Sequence, residues 1–336
     1  MATNPALSDR LAPRAWQAEL RDAVRDVAEL ARLLELPADV VRTRVTGSSS
    51  FPLLVPRGFV ARMRKRDPED PLLLQVLPLA VEHAVPDGYS ADPLGEQAIA
   101  HAGVLQKYAG RALLITSGAC PVHCRYCFRR SFPYQAQLAA RADWSNAEQQ
   151  LRGAPDVEEV ILSGGDPLSL SNRRLARLLK VLESIPSLRR LRIHTRFPIM
   201  IPERIDHGLL ELLTATPLQT VVVVHANHAR EIDSAVAGSL QALKRSVDQL
   251  LNQAVLLRGV NDSVDALVAL SARSFECGVL PYYLHMLDPI AGAAHFAVDE
   301  SAALELMRGI RARLPGYLVP RLVREVPGES SKSLIT

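Results

Sequence analysis

No stretch of this 336-residue chain is apolar for long enough to cross a bilayer as a helix. The longest aliphatic runs, such as Val221 to Val224, fall far short of the ~20 residues a span needs. Charge of one sign is missing too. Lys and Arg total 39 against 36 Asp and Glu, an excess of 3. That is too small to favour a nucleic-acid reader, although a local basic patch stays compatible with it. The first residues, Met1-Ala2-Thr3-Asn4-Pro5, carry no basic region followed by an apolar stretch, so no secretory signal and a cytoplasmic location are expected. There is no internal repeat or low-complexity tract, and 48% apolar with 22% charged residues excludes a disordered or fibrous chain. Cysteine is scarce as well. Of four, three crowd into eight residues, Cys120, Cys124 and Cys127, whereas a secreted disulfide framework spreads its cysteines along the chain.

What is there divides in two. Over the first hundred residues the pattern is helical: Trp16, Leu20, Val24, Val27, Leu30 and Leu34 recur at three- and four-residue steps, predicting one amphipathic helix from Arg14 to Leu36 that Pro37 ends. Between Thr46 and Pro93, Pro, Gly and Ser predict short helices and loops packed on something larger. After about residue 110, aliphatic runs alternate with helical patterns. Strands are expected at Ala112 to Thr116, Glu159 to Leu162, Leu191 to Thr195, Thr220 to Val224, Ala254 to Leu257 and Leu280 to Leu284. Helices are expected at Arg173 to Glu183, Glu203 to Leu213, Ile232 to Leu250 and Val264 to Cys277. Such spacing builds βα units on a parallel sheet. The expected fold is α/β, a partial (β/α)6 TIM-like barrel, with a flat doubly wound sheet as the alternative. The expected division is an N-terminal helical region over 1–105, the barrel over 106–290 and a C-terminal segment over 291–336. In either architecture ligands gather at the carboxyl ends of strands, and nearly every polar cluster of this half falls there.

The cysteines read C-x3-C-x2-C. Zinc sites usually close with four ligands, whereas three thiolates on one loop suit a cubane [4Fe-4S] cluster with one iron left open. An open iron can bind S-adenosylmethionine and pass an electron into its sulfonium, a radical chemistry that the protein only positions. A zinc loop completed by His123 or by a distant residue is the competing reading.

These residues resemble the radical S-adenosylmethionine superfamily, whose hallmark is C-x3-C-x-aromatic-C. More narrowly, residues 88 to 332 are similar to the lysine 2,3-aminomutase family through Asp92-Pro-Leu94, Arg111, Cys-Arg-Tyr-Cys-Phe-Arg-Arg130, Leu162-Ser-Gly-Gly-Asp-Pro-Leu168, His225-Ala-Asn-His228, Leu256 to Asp262 and Tyr282 to Asp288. The length and the ending Gly328-Glu-Ser-Ser-Lys332 look most like the bacterial branch that makes (R)-β-lysine for modification of elongation factor P. The resemblance implies an isomerase that converts (S)-α-lysine to (R)-β-lysine with a [4Fe-4S] cluster, S-adenosylmethionine and pyridoxal phosphate. It implies an electron donor, and a functional link to elongation factor P and its lysine ligase. It implies neither nucleic acid nor membrane as a partner, and it leaves room for a homo-oligomer.

Carried over residue by residue, the resemblance gives Tyr126, Ser163, Gly164, Gly165, Asp166, His225 and Gln253 to S-adenosylmethionine. It makes Lys332 the Schiff-base lysine and gives the pyridoxal phosphate group to Tyr108 and Arg111, with Lys107 assisting. Arg129 would grip the substrate carboxylate, in preference to Arg130, and Asp288 and Glu325 the far ammonium. Each has a plainer reading: Asp166 as a turn cap, His225 and Gln253 as hydrogen-bonded core residues, the acids as salt-bridge partners, Lys332 as a solvated tail residue. Two departures stand out. Pro327-Gly328-Glu329-Ser330-Ser331 replaces a glycine run, and Glu325 replaces an aspartate. The spare thiol, Cys277, is expected to be a small buried hydrophobe, and no zinc is expected. An aminomutase for another amino acid, and a non-catalytic iron–sulfur or zinc-binding protein, are the alternatives.

Overall fold

A computed structural model describes residues 15–45, 51–99, 103–134, 138–139 and 144–336. The amino-terminal segment and Arg14 lie outside the described residues. Nine strands form one sheet, β1 (Val104–Tyr108), β2 (Arg111–Ser117), β3 (Glu159–Gly164), β4 (Arg190–Thr195), β5 (Gln219–Val224), β6 (Gln249–Val255), β7 (Leu280–His285), β8 (Arg321–Arg324) and β9 (Ser333–Leu334). They lie side by side in sequence order. Strands β2 to β8 are parallel, and β1 and β9 close the two edges antiparallel. A doubly wound sheet reverses its strand order at a switch point. This one never does, and with no pairing between its edges among the described residues it is an incomplete barrel.

The longer helices are α1 (Ala15–Arg21), α2 (Val27–Leu33), α3 (Ala38–Arg44), α4 (Ser145–Arg152), α5 (Asn172–Glu183), α6 (His207–Ala215), α7 (Ser234–Lys244), α8 (Val264–Glu276) and α9 (Glu300–Arg313). Helices α4 to α9 each follow one of β2 to β7, giving the six expected βα units. Four of them begin on a residue whose side chain accepts from a first-turn amide: Ser171, Asp206, Asp233 and Ser263. Those caps stop the βα loops at fixed points. Among the described residues no helix is long and apolar enough to cross a membrane.

Three expectations fail locally. The predicted helix up to Leu36 is broken, because Val24 pairs with Val55 as a β-bridge and Asp26 caps a new helix through the Glu29 amide at 2.8 Å. Trp16, Leu30 and Leu34 still share one core, which is why the apolar stripe looked continuous. Pro37 caps the start of α3 and ends no helix, because α2 already stops at Leu33. The fifth strand lies at Gln249–Val255, upstream of the aliphatic run Ala254 to Leu257, and α7 stops at Lys244. Here Asn252 is buried by exchanging two hydrogen bonds with the Ala226 backbone, at 2.9 and 3.1 Å, so a polar residue occupies a core position of β6. The predicted helix from Glu203 is a 3-10 turn, Pro202–Arg204, followed by Asp206-capped α6.

The main apolar core takes residues from Trp16 to Leu322, and two smaller clusters form around Leu257 and Phe296 and around Leu105 and Phe132. The 105/106 boundary falls inside β1, and the sheet takes β8 and β9 from the 291–336 segment.

Candidate active site

Along a strand, alternate side chains face opposite ways. One set, including Leu114, Leu162, Ile193, Val224 and Leu284, is buried in the apolar core. The opposite set carries Arg111, Arg192, His194, Gln253, Tyr283 and His285, all half-buried. A filled barrel packs its interior with branched aliphatics. A polar, half-buried lining belongs to a lumen that admits a ligand.

Strand β2 delivers the chain into the loop of Cys120, Cys124 and Cys127, none fully buried and none in a disulfide. Burial and the charge of Cys124 push the Cys127 thiol up to about 11, and burial with Cys127 pushes Cys120 well above its ordinary value. Thiols so placed keep their protons at neutral pH unless a metal replaces them, and the Arg196 guanidinium donates to Cys124 Sγ. A [4Fe-4S] cluster fits this donor set. His123 is turned away, its Nδ1 2.8 Å from the Pro52 carbonyl and its ring stacked on Phe51, so it does not complete a zinc loop. Cys277 is buried after α8, as expected.

Residues 51–82 wall this loop. The His123 and Arg125 amides donate to the carbonyls of Leu54 and Gln75 at 3.0 and 2.9 Å. The Arg125 side chain, wholly buried, donates to Glu82 and to the Phe51 carbonyl, each at 2.8 Å, and Arg130 joins Glu82 at 2.9 Å. Burial alone would raise the Glu82 carboxyl, but the two guanidiniums outweigh it and hold it below the usual carboxylate range. Gln75, also buried, accepts from Arg196 at 2.6 Å and Asn227 at 3.0 Å and donates to Glu231 at 3.0 Å. The Tyr126 phenol takes a 2.6 Å bond from Asn227. Gln75 and Glu231 were not singled out in the sequence, and Arg196 and Asn227 stood only as members of strand-end polar clusters with no role assigned. The one available signal was a glutamine inside the apolar run Pro71 to Leu79.

Ser163 and Gly164 end β3 beside this loop. A Cβ on Gly164, whose φ is +117°, would sit 2.5 Å from the Ser117 carbonyl oxygen, and one on Gly165 would sit 2.6 Å from that of Ala119. These glycines therefore let β3 and the cysteine loop touch, a demand separate from ligand approach. Asp166 is buried and its oxygens are engaged: Oδ1 accepts from the Leu168 amide and Thr195 Oγ1 at 2.9 and 2.8 Å, and Oδ2 from the Arg196 amide at 2.7 Å. The structure thus uses it as the cap that ties β3 to β4. His194, His225 and His285 point buried Nε2 atoms at no partner among the described residues. Burial drives His225 and His285 down to about 3 and His194 well below its ordinary value, so all three are neutral. Orphaned imidazole nitrogens in a lumen suit a polar cofactor such as S-adenosylmethionine. Gln253 lies opposite Tyr283 on the same face.

The opposite wall is a chain of charges. Arg129 holds Glu96 through two bonds, 2.6 and 3.0 Å, and reaches Ser163 Oγ at 2.9 Å. Lys107 Nζ lies 2.9 Å from Glu96 and 2.9 Å from Glu325, and Lys332 donates to the other Glu325 oxygen. Burial opposes charge on Glu325, yet Lys332 and Lys107 bring it down to about 2. Asp288 is pushed up to about 7 by burial and by Glu325. Lys332 is no free tail: Val323 pairs with Leu334 and Arg324 with Ser333, a hairpin that folds it back over the barrel. Arg111 stacks on Tyr108 at 4.5 Å, and its Nε has no partner among the described residues, as suits an incoming phosphate. The donor set around Lys332 fits pyridoxal phosphate.

No family model matches the chain. It is 46% identical over 321 residues to the L-lysine 2,3-aminomutase of Escherichia coli (strain K12), covering 95% of this chain and 93% of that protein. It is 44% identical over 320 residues to that of Haemophilus influenzae, covering 95% of both, and 30% identical to that of Clostridium subterminale over 95% of this chain and 77% of the other. Among solved structures, a radical SAM methyltransferase from Sphaerobacter thermophilus is 16% identical with a TM-score of 0.47, covering 66% of this chain and 68% of that one.

Proposed function

Since the chain belongs to the L-lysine 2,3-aminomutase family of isomerases, we propose that it moves the α-amino group of L-lysine to the β-carbon and so makes (R)-β-lysine for the modification of elongation factor P. The carrying observation is a chain of ion pairs, Lys332 to Glu325 to Lys107 to Glu96 to Arg129, that links the hairpin to the segment directly after Cys127. When bound, the cluster with S-adenosylmethionine supplies hydrogen-atom abstraction, and pyridoxal phosphate supplies electron withdrawal from the migrating nitrogen.

The chain's own residues do the rest. Cys120, Cys124 and Cys127 hold the cluster. Tyr126, Ser163, Gly164, Gly165, His225 and Gln253 line the adjoining space for S-adenosylmethionine, and Asp166 acts on it by shaping the loop. Lys332 Nζ carries the pyridoxal group, and Tyr108 and Arg111 receive its phosphate. Arg129 orients the lysine carboxylate, and Asp288 and Glu325 make the far wall acidic, which favours a second ammonium. The N-terminal wall keeps bulk water from the reacting atoms. Reduction of the cluster calls for a separate electron donor.

Anaerobic incubation of the reconstituted protein with lysine, S-adenosylmethionine and a reductant tests the reading. β-Lysine should appear, and Cys124→Ala and Lys332→Ala should each abolish it. Turnover that survives Lys332→Ala would refute the role given to that lysine. The elongation factor is tested separately, by whether its ligase attaches the product.

A further inference from the structure

A buried cation backs the cysteine loop and has no part in the reading above. The Arg196 guanidinium donates through Nη1 to Cys124 Sγ, and through Nη2 to Gln75 Oε1 at 2.6 Å and Glu231 Oε2 at 3.2 Å. Its central carbon lies 5.6 Å from the centre of the Tyr126 ring, so it sits against the turn that joins Cys124 to Cys127. Arg196, Gln75 and Glu231 are all buried. Neither partner is free to leave. Gln75 Nε2 donates to Glu231 Oε1 at 3.0 Å, and the same oxygen accepts from the Asn227 and His228 amides at 2.9 and 3.0 Å. The backbone of Arg196 is held separately, its amide donating to Asp166 at 2.7 Å. A change of the side chain therefore leaves the tie between β3 and β4 in place.

Resting on the cluster assignment above, we propose that Arg196, fixed by Gln75 and Glu231, acts through Cys124 to raise the reduction potential of the iron–sulfur cluster. It is thus a positioning residue for electron uptake. One electron passes from the separate donor to the cluster, and no bond is made or broken at Arg196. The reduced cluster carries one more negative charge than the oxidised one. A guanidinium keeps its charge at any working pH, and hydrogen-bonded to a ligand sulfur it stabilises the reduced form more, hydrogen bonds to the sulfurs being one of the levers that set such potentials. Burial keeps salt from screening the interaction. Glu231 offsets part of that charge, but its carboxylate lies on the far side of the guanidinium from the sulfur, joined to Nη2 where Cys124 is joined to Nη1. The cation is the nearer charge, and its sign prevails.

The test is a redox titration of the anaerobically reconstituted protein, without S-adenosylmethionine so that nothing turns over. It is followed by electron paramagnetic resonance of the reduced cluster, with iron and sulfide counted per chain. Arg196→Met should become about tenfold harder to reduce at a given poise, a fall of about 59 mV for a one-electron couple. A site merely loosened by the substitution would admit water, which favours the more charged reduced form and moves the potential up instead. A fall supports the assignment, and an unchanged or raised potential overturns it while leaving the cluster assignment intact. If Arg196→Met takes up no cluster, the double variant with Glu231→Gln replaces it, because it strands no buried charge. A smaller fall there supports the assignment, and no fall overturns it. A wild type without a four-iron signal overturns the cluster assignment, and this one with it.

Discussion

Asp288 and Glu325 share one corner of the lumen, yet their protons are held in opposite ways. For Asp288 the sign is unusual. Its folded value of about 7 lies above the ordinary aspartate value, so between roughly pH 4 and 7 the folded protein binds a proton that the unfolded chain releases, and this group's contribution to stability falls as pH rises. Substrate binding runs the other way, since only ionised Asp288 attracts an ammonium. Lysine affinity, followed by titration between pH 5.5 and 8.5, should therefore tighten as pH passes about 7, approaching tenfold per unit below it. The histidines facing the lumen stay neutral over that range, so a flat profile in the wild type, or an equal slope in Asp288→Asn, would remove Asp288 from recognition. At this scale legibility was uneven. The three cysteines were readable because a loop motif keeps its ligands within eight residues. Gln75, Glu96 and Glu231 were not, since a buried polar residue is explained only by partners that folding brings from far along the chain.

Strands and helices were easier to read than their partners. Five of six predicted strands overlap β2, β3, β4, β5 and β7 closely, because a buried parallel strand is a short aliphatic run between turn signals. Strand β6 was misplaced because its core position is an asparagine, and β8 and β9 were missed because four and two residues carry too little pattern. Those two strands matter for the chemistry. They turn Lys332, followed by only four residues of the sequence, into part of the lumen wall, with Gly328 at φ +86° in the turn and the Ile335 amide bonded to the Leu322 carbonyl at 3.0 Å. Removing residues 333–336 keeps Lys332 but deletes its tether. The truncated protein should reconstitute iron normally and lose most of its bound pyridoxal phosphate, measured as iron and pyridoxal per chain. Full pyridoxal occupancy would show that the hairpin does not position the lysine.

Across the whole molecule, residues 51–99 have a part that composition did not disclose. They form the wall against which the cysteine loop is pinned, and the pin is ionic. Arg125 is wholly buried, Arg130 nearly so, and both end on Glu82 of the N-terminal segment. A buried pair of this kind adds little net stability over apolar packing, but removing one partner strands the other charges out of water, at a cost of roughly 3–5 kcal/mol. The Glu82 carboxyl is held below its ordinary value, so its contribution is complete above the unfolded-state value of about 4.3 and is lost as pH falls through the folded one. Glu82→Gln preserves shape and removes that charge. The iron-free variant should lose stability by this amount at pH 7 in denaturant unfolding, and the difference from wild type should shrink as acid protonates Glu82 in the wild type. Its cysteine loop, no longer anchored, should also take up less iron. Unchanged stability together with full iron content would mean that the barrel builds its cluster site without the wall, and residues 51–99 would then need another explanation.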